Sequence, residues 1–330
     1  TILLILVLCS GAWVLPFKVA GSPQPQSSGP ASGSIRCPDN YEPAPLEAGT
    51  STTSAATSGG LKAVAIVGDV GSGTSTFIDD MEGAVDALES HNVSVTTFYY
   101  GVTNFTWGDI VAAAQGAHFL LYMGHGVYGW GGSNNWGGFY LGYERFVSPS
   151  MVRRDLDGVL APDSIIIFSH ACFTAGASGT DTSVVSQATA EERVHSYAEP
   201  FVDVGMEAYF ANNYFDSAAG TVNSVLGGET METGFKGGVG YSSSGLVDLT
   251  YPDPGYDLWL DKCMYAQDWN LSFVGMPDYV FQAMTCSWPD VDCSGSVDGN
   301  DVQAVADSWR CVQGETCYDE SYDVDGDGVI

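Results

Sequence analysis

The sequence predicts an α/β fold, a mostly parallel sheet with helices on both faces, followed by a small α-helical calcium-loop module. Short, continuous apolar runs alternate with helical patterns through the middle of the 330-residue chain, as expected for parallel strands buried on both faces. Hydrophobic residues make up 45% of the chain, which is enough for a sizeable core. Aspartate-rich loops at the end of the chain predict the separate module.

The predicted elements follow one another from residue 61. Ala63 to Val67 is a short apolar run that predicts the first strand. Thr76 and Asp79 predict a capping box, because apolar residues recur after them at helical spacing. The pattern then predicts a strand at residues 93–100, a helix at 107–115, two apolar strands at 118–123 and 164–168, a long helix at 185–204 and a fifth strand at 207–211. Residues 240–285 are predicted to form a packed extension without recognisable chemistry.

The termini predict the domain organisation and the localisation. Residues 1–20 contain an uncharged apolar run and are interpreted as a signal peptide or an N-terminal anchor. Residues 21–60 are rich in Ser, Gly and Pro and predict a flexible linker. Residues 61–285 are assigned to the α/β domain and residues 286–330 to the calcium module, whose second repeat is expected to be incomplete. The protein is therefore expected to be secreted or held at the cell surface.

The net charge excludes one class of partner, and the cysteine content predicts disulfides. The formal net charge is −30, and a polyanion of this kind repels phosphate backbones, which excludes nucleic acid as a partner. In an oxidising compartment, six of the eight cysteines are compatible with three disulfides whose connectivity the sequence leaves open: Cys37, Cys263, Cys286, Cys293, Cys311 and Cys317. Cys9 lies in the apolar leader, and Cys172 is predicted to be unpaired.

Two neighbouring strand ends carry the candidate chemistry. His125 and Gly126 follow the third predicted strand, and Cys172 follows the fourth. The carboxyl ends of parallel strands meet at one edge of a sheet, so these groups are expected to lie together. A thiol needs a neighbouring base, and His is the usual one. The amides of Gly126 and Cys172 are suited to stabilise an oxyanion.

These motifs resemble the caspase–gingipain–legumain clan of cysteine peptidases. The gingipain-like branch is most similar, because Tyr122-Met123-Gly124-His125-Gly126 is followed by Trp130, and the resemblance covers residues 61–240. It implies a caspase-like fold and a cysteine endopeptidase that forms a thioester on protein or peptide substrates. By the same resemblance, His125 is the general base or acid, Cys172 the nucleophile and Gly126 an oxyanion donor.

Three further residues are candidates for the substrate pocket. Asp69 at the end of the first strand, or Asp181 after the nucleophile, is positioned to supply a carboxylate for a basic side chain. His170 lies two residues before Cys172 and is expected to share its face of the strand. Arg-specific relatives commonly carry an Asp just before the nucleophile, where this chain has Ser169-His170-Ala171.

The last residues predict a Ca²⁺ site. A twelve-residue loop of EF-hand type provides oxygen ligands at the spacing that this ion requires: Asp290, Asp292, Ser294, Ser296 (through its carbonyl), Asp298 and Asp301. Its last ligand is Asp rather than Glu, which resembles a dockerin repeat and implies a cohesin-like or surface partner. A second copy begins with Asp323, Asp325 and Asp327. No cofactor is expected for catalysis itself.

Three alternatives to a secreted peptidase stay open at this point. One is a catalytically inactive caspase-like scaffold displayed by the calcium module. Another is a surface or assembly protein organised by the calcium loops. The third is a different hydrolase that uses the same strand ends.

Overall fold

The computed structural model describes residues 60–129, 137–142, 145–213, 217–253, 255–262 and 268–281. In these ranges the strands are β1 (Lys62–Val67), β2 (Ser94–Tyr99), β3 (Phe119–Met123), β4 (Gly126–Tyr128), β5 (Gly137–Gly142), β6 (Arg145–Val147), β7 (Ile165–Ser169), β8 (Ala208–Asn212), β9 (Val247–Thr250), β10 (Asp257–Lys262) and β11 (Trp269–Gly275). The α-helices are α1 (Thr74–Ser90), α2 (Trp107–Ala113), α3 (Pro149–Asp155), α4 (Gln187–Val202), α5 (Ala218–Leu226) and α6 (Met231–Lys236).

The main sheet has eight strands in the order β2-β1-β3-β7-β8-β11-β10-β9. The first five are parallel, which confirms the predicted parallel sheet and its five strand positions. The last three are antiparallel to their neighbours, and the sequence predicted this region only as a packed extension. The protein is therefore a mixed α/β structure whose large sheet is parallel over its first five strands and antiparallel over its last three.

Two apolar layers enclose the sheet. The strands β3 and β7 are buried along their whole length, as their continuous apolar sequences predict. On one face, α1, α5 and α6 pack against the sheet, and we call this the α1 layer. On the other face, α2, α3 and α4 form the α4 layer. Within the described ranges, no helix has both the length and the apolar character needed to cross a membrane.

The predicted capping box of the first helix is wrong. The helix α1 begins earlier, after Gly73, so Thr76 lies inside it, and its N-cap makes no side-chain hydrogen bond. A reciprocal capping box occurs instead at α2, where Thr106 and Asp109 satisfy each other's backbone amides. Helical spacing located the first helix, but the polar residue nearest the apolar run did not mark its start.

The carboxyl edge of the sheet gathers the ends of several strands. Met123 at the end of β3 is paired with Ser169 at the end of β7. The strand β10 runs in the same direction as β8, since each is antiparallel to β11. Lys262, which ends β10, and Trp269, which begins β11, therefore lie at this same edge. A second sheet of three strands, β4-β5-β6, starts directly after His125.

Candidate active site

The structure brings the His125–Gly126 segment and Cys172 into direct backbone contact. Gly126 begins β4 and pairs with Phe139 of β5. A Cβ atom built on Gly126 would lie only 1.9 Å from the carbonyl oxygen of Cys172. No residue with a side chain fits there without moving the two strand ends apart, so the glycine is required by the close approach of the two backbones.

The His125 side chain is buried, with 7% of its surface exposed. Burial lowers the pKa of His125, and the negative charge of Asp69 opposes this effect in part. The imidazole is therefore neutral near pH 7, which is the form that accepts a proton.

Buried hydrogen bonds fix the backbone around His125. Its carbonyl oxygen accepts from the Tyr140 amide at 3.1 Å. The Tyr122 hydroxyl donates to the Tyr140 carbonyl at 2.7 Å and lies 3.1 Å from the carbonyl of His125. Gly124 has a φ of +153°, and a Cβ atom there would meet the Tyr122 hydroxyl at 2.4 Å. These contacts hold the segment in one conformation at the end of β3.

Residues 170–177, which we call the Cys172 loop, begin directly after β7. Two non-glycine residues in it, His170 and Phe173, have φ values of +50° and +67°. Backbone conformations of this kind cost free energy and persist only where the surroundings impose them, commonly at functional sites. Inside the loop, the Phe173 amide donates to the Ala177 carbonyl at 2.8 Å, and the Thr174 hydroxyl donates to the Ala171 carbonyl at 2.5 Å.

The ends of β8 and β11 hold the Cys172 loop in place. Asn213 accepts from the Ala175 amide at 3.0 Å and donates to the Trp269 carbonyl at 2.8 Å. The Ala177 amide donates to the same carbonyl at 2.9 Å. The buried Tyr209 hydroxyl donates to the Thr174 carbonyl at 3.1 Å. The strained loop is thus tied to two strands behind it.

The prediction that Cys172 is unpaired is wrong. Cys172 is 2% exposed and is held in a disulfide, and no cysteine of the described ranges is free. The sulfur bonded to it lies outside the described residues. A disulfide sulfur is not a nucleophile, so this form of the protein is not competent for thiol chemistry at Cys172.

The predicted position of His170 is also wrong. Its Nε2 lies 3.2 Å from a carboxylate oxygen of Asp80, and its ring centroid is 4.8 Å from that of Phe77, both on α1. Cys172 instead belongs to the α4 layer, on the other face of the sheet. The positive φ of His170 ends the strand alternation, so residues two apart no longer share a face.

Asp181 is already occupied by a partner within the chain. Its two carboxylate oxygens accept from the Arg193 guanidinium at 2.7 and 2.8 Å, and one of them also accepts from the Ser178 amide at 2.8 Å. The prediction that Asp181 receives a basic substrate side chain is therefore not supported. Asp69 is half-buried and accepts from the Gly71 amide at 2.8 Å, and its negative charge acts to raise the pKa of His125 against the effect of burial.

A polar cavity that the sequence did not indicate lies at the same edge of the sheet. It has a volume of about 340 Å³, and it is lined by residues 185–187, Ser242, residues 244–247, Lys262 and Trp269. Lys262 is the one charged residue among the described lining, and its ammonium stands 4.4 Å from the Trp269 ring centroid. Trp269 also accepts the hydrogen bond from Ala177, so the cavity adjoins the Cys172 loop.

Asp261, which directly precedes Lys262 of the cavity lining, is fully buried. It accepts from the Ser242 amide at 2.7 Å, and burial raises its pKa to about 7. One of its carboxylate oxygens has no hydrogen-bond partner within the described ranges. Nothing in the sequence marks this residue, because an Asp near the end of a strand is ordinarily exposed.

The predicted calcium ligands of residues 290–301 and 323–327 lie outside the described residues. Within the described ranges, no three His, Cys, Asp or Glu side chains come together as metal ligands. The Ca²⁺ site therefore stays a prediction from the sequence.

Comparisons with known proteins give one structural likeness. No family model and no curated protein matches the chain. The crystal structure of the Drosophila initiator caspase Dronc is similar, with a TM-score of 0.35 and 7% sequence identity, over 78% of this chain and 95% of that one. A TM-score and a sequence identity this low do not assign an activity to this chain.

Proposed function

We propose that this chain is a cysteine endopeptidase of the caspase–gingipain–legumain type, with Cys172 as nucleophile and His125 as base. The contact that carries the proposal is the approach of Gly126 to the Cys172 backbone, which joins the two strand-end motifs. The buried, neutral His125 and the strained backbone on both sides of Cys172 support it.

The reaction begins with proton transfer from the Cys172 thiol to His125. The thiolate attacks the scissile carbonyl carbon, and the negative charge moves to the carbonyl oxygen, with the amides of Gly126 and Cys172 as the proposed donors to it. The C–N bond breaks as the imidazolium gives its proton to the leaving amine, which leaves a thioester on Cys172. Water then hydrolyses the thioester, and the free thiol returns. Asp69 stabilises the imidazolium form in both halves of the cycle.

The disulfide makes reduction a precondition of this reaction. A thiol reductant that supplies two electrons and two protons converts the bridge into two thiols and is itself oxidised to a disulfide. We propose that the form with the disulfide is latent and that the reduced form is the active one.

The cavity beside the Cys172 loop is the proposed site for a substrate side chain. Among the described residues that line the cavity, Lys262 is the one with a charged side chain. The first turn of α4, which contributes Gln187 to the lining, contains no acidic residue to offset the positive end of the helix dipole. An acidic or neutral polar side chain therefore suits this cavity better than a basic one. This proposal replaces the sequence-based expectation of a basic side chain held by Asp69 or Asp181.

Beyond the peptidase domain, we propose a secreted or cell-surface protein with a calcium-binding, dockerin-like module. The aspartates of residues 290–301 would supply hard oxygen ligands to Ca²⁺, and a cohesin-like or surface protein is the proposed partner. The spacing of these ligands and the start of a second copy support this part of the proposal.

The disulfide at Cys172 also favours a second candidate, an inactive caspase-like scaffold. In that case the bridge is a permanent structural link, and reduction destabilises the protein without producing activity. The two candidates therefore predict opposite results after mild reduction.

The test is peptide cleavage by the full chain before and after treatment with a dithiol reductant. The proposal expects cleavage only after reduction and none in Cys172→Ala under either condition. Alanine variants of the other cysteines are the matched controls, and the one that gives activity without reductant identifies the bridge partner. If the folded, reduced chain cleaves none of the peptides, the result rules out the peptidase and supports the inactive scaffold.

A further inference from the structure

Arg193 of α4 is a cation with an unusual degree of burial, since only 8% of its surface is exposed. Its guanidinium forms a two-point ion pair with Asp181, at 2.7 and 2.8 Å. It also donates to the carbonyl oxygen of Gly176 at 2.9 Å. Gly176 belongs to the Cys172 loop, so the pair fixes the far end of that loop to the helix.

The same guanidinium lies against two aromatic rings. Its central carbon is 4.8 Å from the ring centroid of Phe173 and 5.5 Å from that of Tyr128. Both distances are within the range of cation–π attraction. Phe173 directly follows Cys172, and Tyr128 is the third residue after His125. One side chain therefore contacts both segments that carry the candidate dyad.

Tyr197, one helical turn after Arg193, adds a second contact to the same region. Its hydroxyl lies 2.8 Å from the Val127 carbonyl and 2.7 Å from the Gly138 carbonyl. A Cβ atom built on Gly126 would meet this hydroxyl at 2.8 Å. One face of α4 thus supports β4, which begins at Gly126, while Arg193 reaches across to the Cys172 loop.

We propose that Arg193 is a positioning residue that holds the Cys172 loop in register with the His125 segment, an inference that rests on the proposed peptidase function. It does not touch the reacting atoms. A planar guanidinium is required because the two-point contact with Asp181 and stacking on two rings use its shape as well as its charge. A lysine at this position keeps the charge but loses the two-point contact with Asp181 and the planar face against the rings.

The test compares Arg193→Lys with the wild type, both fully reduced. The matched control is Arg153→Lys, since Arg153 on α3 pairs with Glu199 of α4 and with Asp203 directly after α4 but is more exposed than Arg193. For Arg193→Lys we expect kcat to fall at least tenfold while KM changes less than threefold, because the groups that bind substrate are intact. For Arg153→Lys we expect both constants to stay within twofold of the wild type.

A second measurement separates this inference from the proposed function. The rate of Cys172 alkylation by iodoacetamide, located by mass spectrometry, reports the placement of the thiol even if no peptide is cleaved. We expect Arg193→Lys to change this rate at least fivefold while circular dichroism shows a folded chain. An unchanged alkylation rate and kcat, or a loss of kcat that only follows the fraction unfolded, would overturn the positioning role. Absence of cleavage by the reduced wild type would instead overturn the peptidase proposal.

Discussion

Replacing Gly126 with alanine tests the contact on which the candidate site depends. The new Cβ atom would lie 1.9 Å from the Cys172 carbonyl oxygen, whereas real Cβ contacts are essentially never shorter than 3.0 Å. The two strand ends must therefore separate by about 1 Å, and a displacement of that size near reacting groups costs on the order of 100-fold in rate. Forcing an extra methyl group into a close-packed site also destabilises a protein by about 1–3 kcal/mol.

The assay measures the unfolding free energy by urea denaturation and the cleavage rate of the reduced chain. The matched control is Gly83→Ala on the exposed side of α1, where a Cβ atom would meet nothing within 4 Å. That change is expected to stabilise the protein by about 0.5–1 kcal/mol and to leave activity unchanged. If Gly126→Ala matches Gly83→Ala in both measurements, the strand ends do not meet as described and Gly126 and Cys172 do not form one site.

Three further predictions concern the buried carboxyl, the cavity and the tail. Burial raises the pKa of Asp261 to about 7, so the contribution of this carboxyl to the stability of the fold is full below about pH 4 and is lost as the pH rises towards 7. The urea midpoint of Asp261→Asn should therefore vary less between pH 5 and 8 than that of the wild type, and an unchanged pH profile would refute this. Lys262→Met should lower the preference for acidic over basic peptides at least tenfold, whereas Lys236→Met, at another lysine–tryptophan contact, should leave it unchanged. Equal effects of the two changes would show that the cavity does not recognise the substrate. Calorimetry should show Ca²⁺ binding that is lost in the Asp290→Ala, Asp301→Ala double variant; heat that persists would place the ion elsewhere.

The sequence predicted the centre of the sheet well because its strands are buried on both faces. The strands β3 and β7 are buried at every position, and short, nearly continuous apolar runs are typical of parallel strands with helices on both faces. The antiparallel strands were missed for the opposite reason. The strand β9 alternates between partly buried and exposed residues, and charged residues stand at both ends of β10.

The candidate site was predictable only in part. His125, Gly126 and Cys172 stood out because each follows an apolar strand. The burial of Arg193 was not predictable, because its contacts with Phe173 and Tyr128 span up to 65 positions in the chain and an arginine on a helix is ordinarily exposed.

Two errors at the site have definite physical causes. The prediction for His170 is wrong because the positive φ of this residue ends the strand alternation before Cys172. The disulfide at Cys172 was missed because connectivity depends on which cysteines approach in space, and their spacing in the sequence does not show this.

The most direct test of the central claim is labelling of Cys172 by a peptidyl acyloxymethyl ketone, with the modified residue located by mass spectrometry. We predict no labelling of the chain with its disulfide intact. After mild reduction, we expect Cys172 to be labelled at least 100-fold faster than any other cysteine, and this advantage should be lost in His125→Ala, because the thiolate depends on the neighbouring base. Labelling of the reduced, folded chain at Cys172 no faster than at the other cysteines, or at an unchanged rate in His125→Ala, would contradict the account.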